Sequence, residues 1–225
     1  MNNQAVYQAD YVERRSRLTT FFRLLLVIPH WIVLYFYGIA AAICALIAWF
    51  ALVITARYPR ALYDFVAGYV RYATAVLGYT LLLTDDYPPF SGDTGGYPVR
   101  LLVPPPQSHY SRLKAFFRFI LVIPIAIVIY AMQIVYSFGA FIAWFAIVVL
   151  GRQPRPLQEM IDLGLGYQQR AYAYMYLLTE DWPPFSNEAP ATLPGGGPSG
   201  TLTASPPAAP EAPTSSYAPP AADDR

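Results

Sequence analysis

Charge is what this chain has least of, and its absence is patterned. Only 13% of the 225 residues are Asp, Glu, Lys or Arg, against about 25% in ordinary soluble domains. None falls between Arg23 and Arg57, or between Arg118 and Arg152. An uncharged apolar run longer than about 18 residues has the composition of a membrane span. Cysteine is nearly absent: Cys44 stands alone, which excludes an intrachain disulfide and a cysteine metal cluster. Histidine is limited to His30, in the first run where the second has Ile125, and His109. A lone histidine of this kind is a satisfied core residue sooner than a ligand. No HExxH, P-loop, GxSxG or paired-cysteine motif occurs, so no enzyme chemistry, cofactor or metal is expected. A formal net charge of +1, with no basic face interleaved with aromatics, gives nucleic acid no electrostatic footprint. The N-terminus, with Asp10 and Glu13 among polar residues, is not expected to be a signal peptide.

What is there is written twice. LLTDDYPPFS at residues 82–91 returns as LLTEDWPPFS at 177–186. The same shift of 95 residues aligns Ser16–Ser91 with Ser111–Ser186 without a gap, and nearly half of the positions are identical. The chain is a tandem duplication. It divides into an N-terminal polar segment (1–15), membrane repeat 1 (16–91), a Gly/Pro linker (92–110), membrane repeat 2 (111–186) and a tail (187–225). The tail's Pro, Ala, Ser and Gly cannot bury enough apolar surface to fold, so it is expected to be disordered.

Each uncharged run holds 33 residues, more than the roughly 20 that cross a hydrocarbon core. Arg14, Arg15, Arg17 and Arg23 precede the first run, and Arg57 and Arg60 follow it; Arg112, Lys114 and Arg118 precede the second, and Arg152 and Arg155 follow it. Cytoplasmic loops carry the excess of Lys and Arg. A single crossing would put equal basic clusters on opposite faces, whereas a hairpin keeps all of them on one. The expectation is an all-α integral membrane fold with a transmembrane helical hairpin in each repeat: Phe21–Tyr37 with Ile39–Ala56, and Phe116–Met132 with Ile134–Leu150. Gly38 and Gln133 would mark the turns. Neither is a strong turn signal, and one kinked span per repeat is the alternative. Cys44, Ala48 and Ala51, matched by Gly139, Ala143 and Ala146, form a small-residue stripe for close packing, within the chain or between copies. Trp49 and Trp144 beside it read as packing residues.

Residues 62–83 place Leu62, Phe65, Val66, Tyr69 and Ala73 on one helical face and Asp64, Gly68 and Arg71 on the other. The counterpart at 157–178 contains Asp162, Gln168, Gln169 and Arg170, too polar for a span. Both are expected to be amphipathic helices in the cytoplasmic interface plane, with their tyrosines at headgroup depth. The doubled phrase would then close them: Pro88-Pro89 stop the helix, and Tyr87 or Trp182 anchors the extended segment. Asp85, Asp86, Glu180 and Asp181 would form a solvated helix end relieved by an arginine such as Arg57 or Arg60, with a cation site as the sharper alternative. Arg23 and Arg118 are expected to lift their heads to lipid phosphates. The candidate contacts with partners or lipid are therefore Arg23, Arg57, Arg60, Asp64, Arg71, Asp85, Asp86, Tyr87, Arg118, Arg152, Arg155, Glu180, Asp181 and Trp182.

The string FFRLLLVIPHWIVLY followed by RYPRALYDFVAGYVRY and GYTLLLTDDYPPFS resembles a bacterial membrane-protein family known only as domain of unknown function 4389. Repeat 1 carries the resemblance over Phe21–Ser91. Repeat 2 keeps the ends and departs in the middle, where YPRALYDFV becomes QPRPLQEMI. The resemblance implies an integral protein of the bacterial inner membrane and brings no activity with it. The functional expectation is a non-enzymatic accessory or scaffold protein, multi-pass with both termini cytoplasmic, contacting anionic lipid and a membrane-protein partner or its own copies. A small transporter, channel or lipid-handling protein is the alternative. A transport pathway calls for polar groups at depth, and the runs offer few.

Overall fold

The computed structural model describes residues 4–90 and 96–185; the tail expected to be disordered lies outside them. Ser16, extended and accepting from the Thr19 amide at 3.3 Å, caps the first long helix, α1 (Arg17–Thr55). Preceding it is the strand β1 (Val6–Ala9). α1 passes through Pro29 and Gly38 without a break for 39 residues, about 58 Å at 1.5 Å per residue. It ends where Ala56 turns left-handed at φ 57°.

After α1 come α2 (Arg60–Thr80) and β2 (Val99–Leu102). Repeat 2 begins with α3 (Arg112–Phe116), capped by Ser111, and continues as α4 (Arg118–Leu150) and α5 (Arg155–Met175). The hairpin turns expected at Gly38 and Gln133 are absent, and each repeat has one long helix. Nothing around either residue breaks a helix: no proline follows and no cap forms. Gly38 serves a close approach instead, since a Cβ there would lie 3.1 Å from the Tyr69 hydroxyl.

α2 starts behind Pro59 and runs back along α1, bringing Phe65 to Tyr37, Tyr72 to His30 and Tyr79 to Arg23. α5 runs back along α4 in the same way, with Tyr174 at Arg118 and Gln168 at Tyr136. The small-residue stripe is spent here, within the chain. Ala48 and Ala143 are fully buried, and a Cβ on Gly139 would come within 2.4 Å of Met160 on α5. α2 and α5 lie antiparallel to each other, joined by Thr74 Oγ1 and Gln169 Oε1 at 3.1 Å and by Tyr69 against Tyr176.

These two short helices are the interior. Val66, Ala67, Ala75 and Val76 on α2, and Ile161, Leu165, Ala171 and Ala173 on α5, have no exposed surface. Tyr63, Tyr72, Tyr79 and Tyr167 rank with the largest fully buried side chains. The interfacial placement expected for both helices is corrected by this burial: more than half of the residues of each helix are buried inside the protein, which leaves neither a continuous face for a lipid surface.

The all-α expectation is corrected as well. β1 and β2, in segments read as polar lead and linker, pair antiparallel with Val6 opposite Leu102 and Ala9 opposite Val99. β2 alternates and buries Val99 and Leu101, while β1 buries the adjacent Val6 and Tyr7; the strands touch α2 and α5. Long helices α1 and α4 cover the other side of α2 and α5 and touch each other. The ends show that α1 and α4 run antiparallel. The Arg15 amide bonds the Gly151 carbonyl at 3.2 Å, while Tyr110 N bonds Ala56 O at 2.9 Å and Trp49 Nε1 donates to Ala115 O. The repeats are thus related by an approximate twofold rotation, and three layers result: α1 with α4, then α2 with α5, then the strand pair.

Candidate functional site

The outer layer is apolar and uncovered. Leu24, Ile28, Trp31, Tyr35, Phe36, Ile43, Ile47, Phe50 and Ile54 on α1 are exposed, as are Ile123, Ile127, Tyr130, Phe138, Phe141, Phe145 and Val149 on α4. Each long helix reaches a mean hydropathy of 2.4 over its most apolar window, of which 17% is buried. A core helix of a water-soluble protein can be as apolar but is mostly buried, so it is their exposure that sets α1 and α4 apart. A cavity of 560 Å³ opens in this layer, mostly apolar, with Ala45, Trp49, Phe119 and Met175 in its walls.

The polar groups are turned inward, and the doubled phrase does much of the turning. Arg23, expected at the phosphates, is 2% exposed; it donates to the Tyr79 carbonyl and pairs with Asp85, whose other oxygen accepts from the Ser16 amide at 2.8 Å. In repeat 2 Arg118 donates to the carbonyls of Tyr174 (2.9 Å) and Thr179 (3.2 Å), and Glu180 accepts from Ser111 N at 2.7 Å. Each arginine also lies over a tyrosine ring, Tyr79 or Tyr174. The phrase is therefore a clamp that ties the end of the short helix to the cap of the long one. Its arginine partner is Arg23, with Arg57 and Arg60 exposed at the far end of α1.

The helices also stop earlier than the prolines. Leu82 and Leu177 take the left-handed conformation at φ 68° and 65°, and the next amides, Leu83 and Leu178, reach back to Gly78 and Ala173. Helix α2 has ended eight residues before Pro88, so the stop is this C-terminal motif. Burial of Leu82 and Leu83 offsets the strain of a non-glycine residue there.

Beyond the clamp, the phrase's aromatics fold onto the long helix. The buried His30 meets the Tyr72 hydroxyl through Nδ1 at 2.6 Å and stacks on Phe90 at 4.0 Å, with Tyr87 at 4.6 Å. Where repeat 2 has Ile125, Phe185 stacks on Tyr167 instead, and Trp182 meets Tyr174. Of the remaining expected contacts, Arg57, Arg60, Asp64, Asp86, Arg152 and Arg155 are exposed, while Arg71 and Asp181 are half-buried. They are not gathered into one site.

Sequence reasoning missed a second polar cluster, beneath β1. The buried Tyr7 hydroxyl donates to Asp162 Oδ1 at 3.1 Å. Burial, and then the adjacent carboxylate, push the phenol well above its ordinary value. Burial also lifts the Asp162 carboxyl to about 6, against hydrogen bonds from Tyr7 and Gln158 that oppose the rise. Arg170, held down to about 10 by burial, donates to Pro184 O at 3.1 Å. Arg15 bonds Leu83 O at 2.6 Å and the side-chain oxygens of Gln153 and Gln158. The polarity of Asp162 and Arg170 was the available signal; their partners lie far along the chain.

A two-repeat, mainly helical protein with a wide exposed apolar layer and inward-facing arginine clamps is thereby defined. The family model of a domain of unknown function, DUF4389, matches residues 17–92 and again 112–187, and the chain belongs to that family. Among curated proteins none matches. No solved structure matches either.

Proposed function

We propose that the protein is a non-enzymatic membrane scaffold of the bacterial inner membrane. In this reading α1 and α4 are immersed in lipid, and both termini lie on the cytoplasmic side, where the protein meets its partners. The supporting observation is the division of polarity: the exposed surface of α1 and α4 is uncharged from Arg23 to Arg57 and from Arg118 to Arg152, while Arg23, His30, Arg118 and Gln168 are turned inward and bond within the protein. An apolar layer running along two helices of 39 and 33 residues would, in water, be unlike the surface of an ordinary monomer, whose apolar patches stay within about 300–600 Å².

Alkaline carbonate extraction tests immersion: the protein should stay in the membrane pellet, and release to the supernatant would sink the reading. Affinity isolation from native membranes with exposed polar residues such as Asp10 and Asp64 intact or replaced tests the scaffold role. The transporter alternative draws support from the antiparallel repeats, an arrangement many transporters share. Against it, Thr74 on α2 bonds Gln169 on α5 and Gln168 bonds Tyr136 on α4, instead of lining a passage. Solute flux into proteoliposomes above the empty-vesicle rate would favour it.

A further inference from the structure

We propose that α1 and α4 lie flat within one leaflet instead of crossing the bilayer, with their basic ends resting on anionic phospholipid headgroups. The inference rests on the membrane reading above and adds an orientation to it.

Length argues first. The uncharged stretch of α1 between Arg23 and Arg57 holds 33 residues, about 50 Å, and fitting it across about 30 Å of hydrocarbon would need a tilt of about 50°. Membrane helices tilt by about 0–40°. A layer one helix thick, at about 10–12 Å, fits instead into half of a 30 Å core.

Charge argues second. With α1 and α4 antiparallel, Arg14, Arg17 and Arg152 stand at one end of the layer and Arg57, Arg60, Arg112 and Lys114 at the other, all exposed. Crossing would place comparable basic clusters on both sides of the membrane, against the bias of positive residues to one side. Lying flat puts every one at the same headgroup level.

The third argument comes from the opposite layer. Val99 packs on Gly78 near the start of α1, and Tyr110 bonds Ala56 at its end, so residues 99–110 travel the length of the bundle on the strand side. Pro105, Ser108 and His109 are exposed along the way, and Arg100 pairs with the exposed Asp10. In a crossing orientation this extended, proline-rich chain would face lipid with backbone groups unpaired, which hydrocarbon does not tolerate. In the flat orientation it faces water. At the near end Arg14, Arg17 and Arg152 line a 710 Å³ recess beside the exposed Leu150, with Glu13 the one acid present. Such a recess suits a phosphate above an acyl chain.

The test uses the full chain with Cys44→Ala and a single new cysteine, Val12→Cys at one end of the layer or His109→Cys at the other. A membrane-impermeant thiol reagent is applied to sealed right-side-out and inside-out vesicles. Both cysteines should label from the same side. Labelling from opposite sides overturns the flat orientation while leaving immersion intact, whereas release by carbonate overturns immersion itself. For the headgroup role, protein purified in mild detergent is offered an equimolar mixture of phosphatidylglycerol and phosphatidylcholine. It should retain the anionic lipid preferentially, and R14Q/R17Q/R152Q should lower that preference about fivefold for each charge removed. Equal preference in the two proteins would overturn the headgroup contact.

Discussion

Asp85 and Asp86 are neighbours with different fates. Asp85 holds the guanidinium of Arg23 and the cap amide of Ser16, whereas Asp86 is exposed and meets its surroundings through its backbone, accepting from the Tyr97 hydroxyl at 2.7 Å. Asp85→Asn leaves a buried cation short of its counter-charge and should cost about 2 kcal/mol; Asp86→Asn should cost under about 0.5 kcal/mol. Thermal unfolding in detergent micelles compares the two, and equal losses would remove the clamp. Asp162 carries a pH dependence of the opposite sense to an ordinary ion pair. Its folded pKa, about 6, lies above its unfolded value near 3.9, so the folded state holds the proton more tightly. Stability therefore falls as pH rises through the window from about 4 to about 6 and stays lower above it, by no more than about 3 kcal/mol. Asp162→Asn should flatten that part of the profile; an unchanged difference between pH 4.5 and pH 7 would show that other groups set it.

At the level of elements, the proline pair and the glycines make separable predictions. Pro88→Ala with Pro89→Ala should leave α2 the same length, because Leu82 has already ended it, and far-UV circular dichroism should be unchanged. Gly78→Ala is different: its Cβ would meet Val99 Cβ at 2.7 Å. Overpacking there should cost about 1–3 kcal/mol and raise amide exchange at Val99–Leu102 first. The elements also mark how far sequence reading reaches. The two uncharged runs, the duplication and the ends of each repeat were legible because they rest on local composition and on self-similarity. The hairpin was inferred from charge symmetry on the premise that α1 crosses a membrane, and that premise forced a turn at Gly38 that no residue there encodes. The burial of α5 was illegible for another reason: Tyr7 and Asp162 are 155 residues apart, and only the folded chain makes a polar helix an interior one. The clamp was half legible: an arginine was expected at the acids, and Asp85 has one in Arg23 where Arg57 or Arg60 was expected, whereas Glu180 accepts the Ser111 amide.

For the whole molecule, the approximate twofold means that the seam between α2 and α5 is a subunit interface made covalent. In a symmetric pair of identical repeats, the same residues would face themselves across the axis, near Thr74 and its counterpart Gln169. Joining the halves removed that constraint, and the seam has since diverged: Ala73, Thr74 and Ala75 in repeat 1 correspond to Gln168, Gln169 and Arg170 in repeat 2. The two halves have become a lock and its key. Residues 1–91 and 92–225, produced as separate tagged polypeptides in one cell, should copurify with each other. Repeat 2 should pair poorly with itself, since Gln169 would meet its own copy at the axis, where the smaller Thr74 now stands.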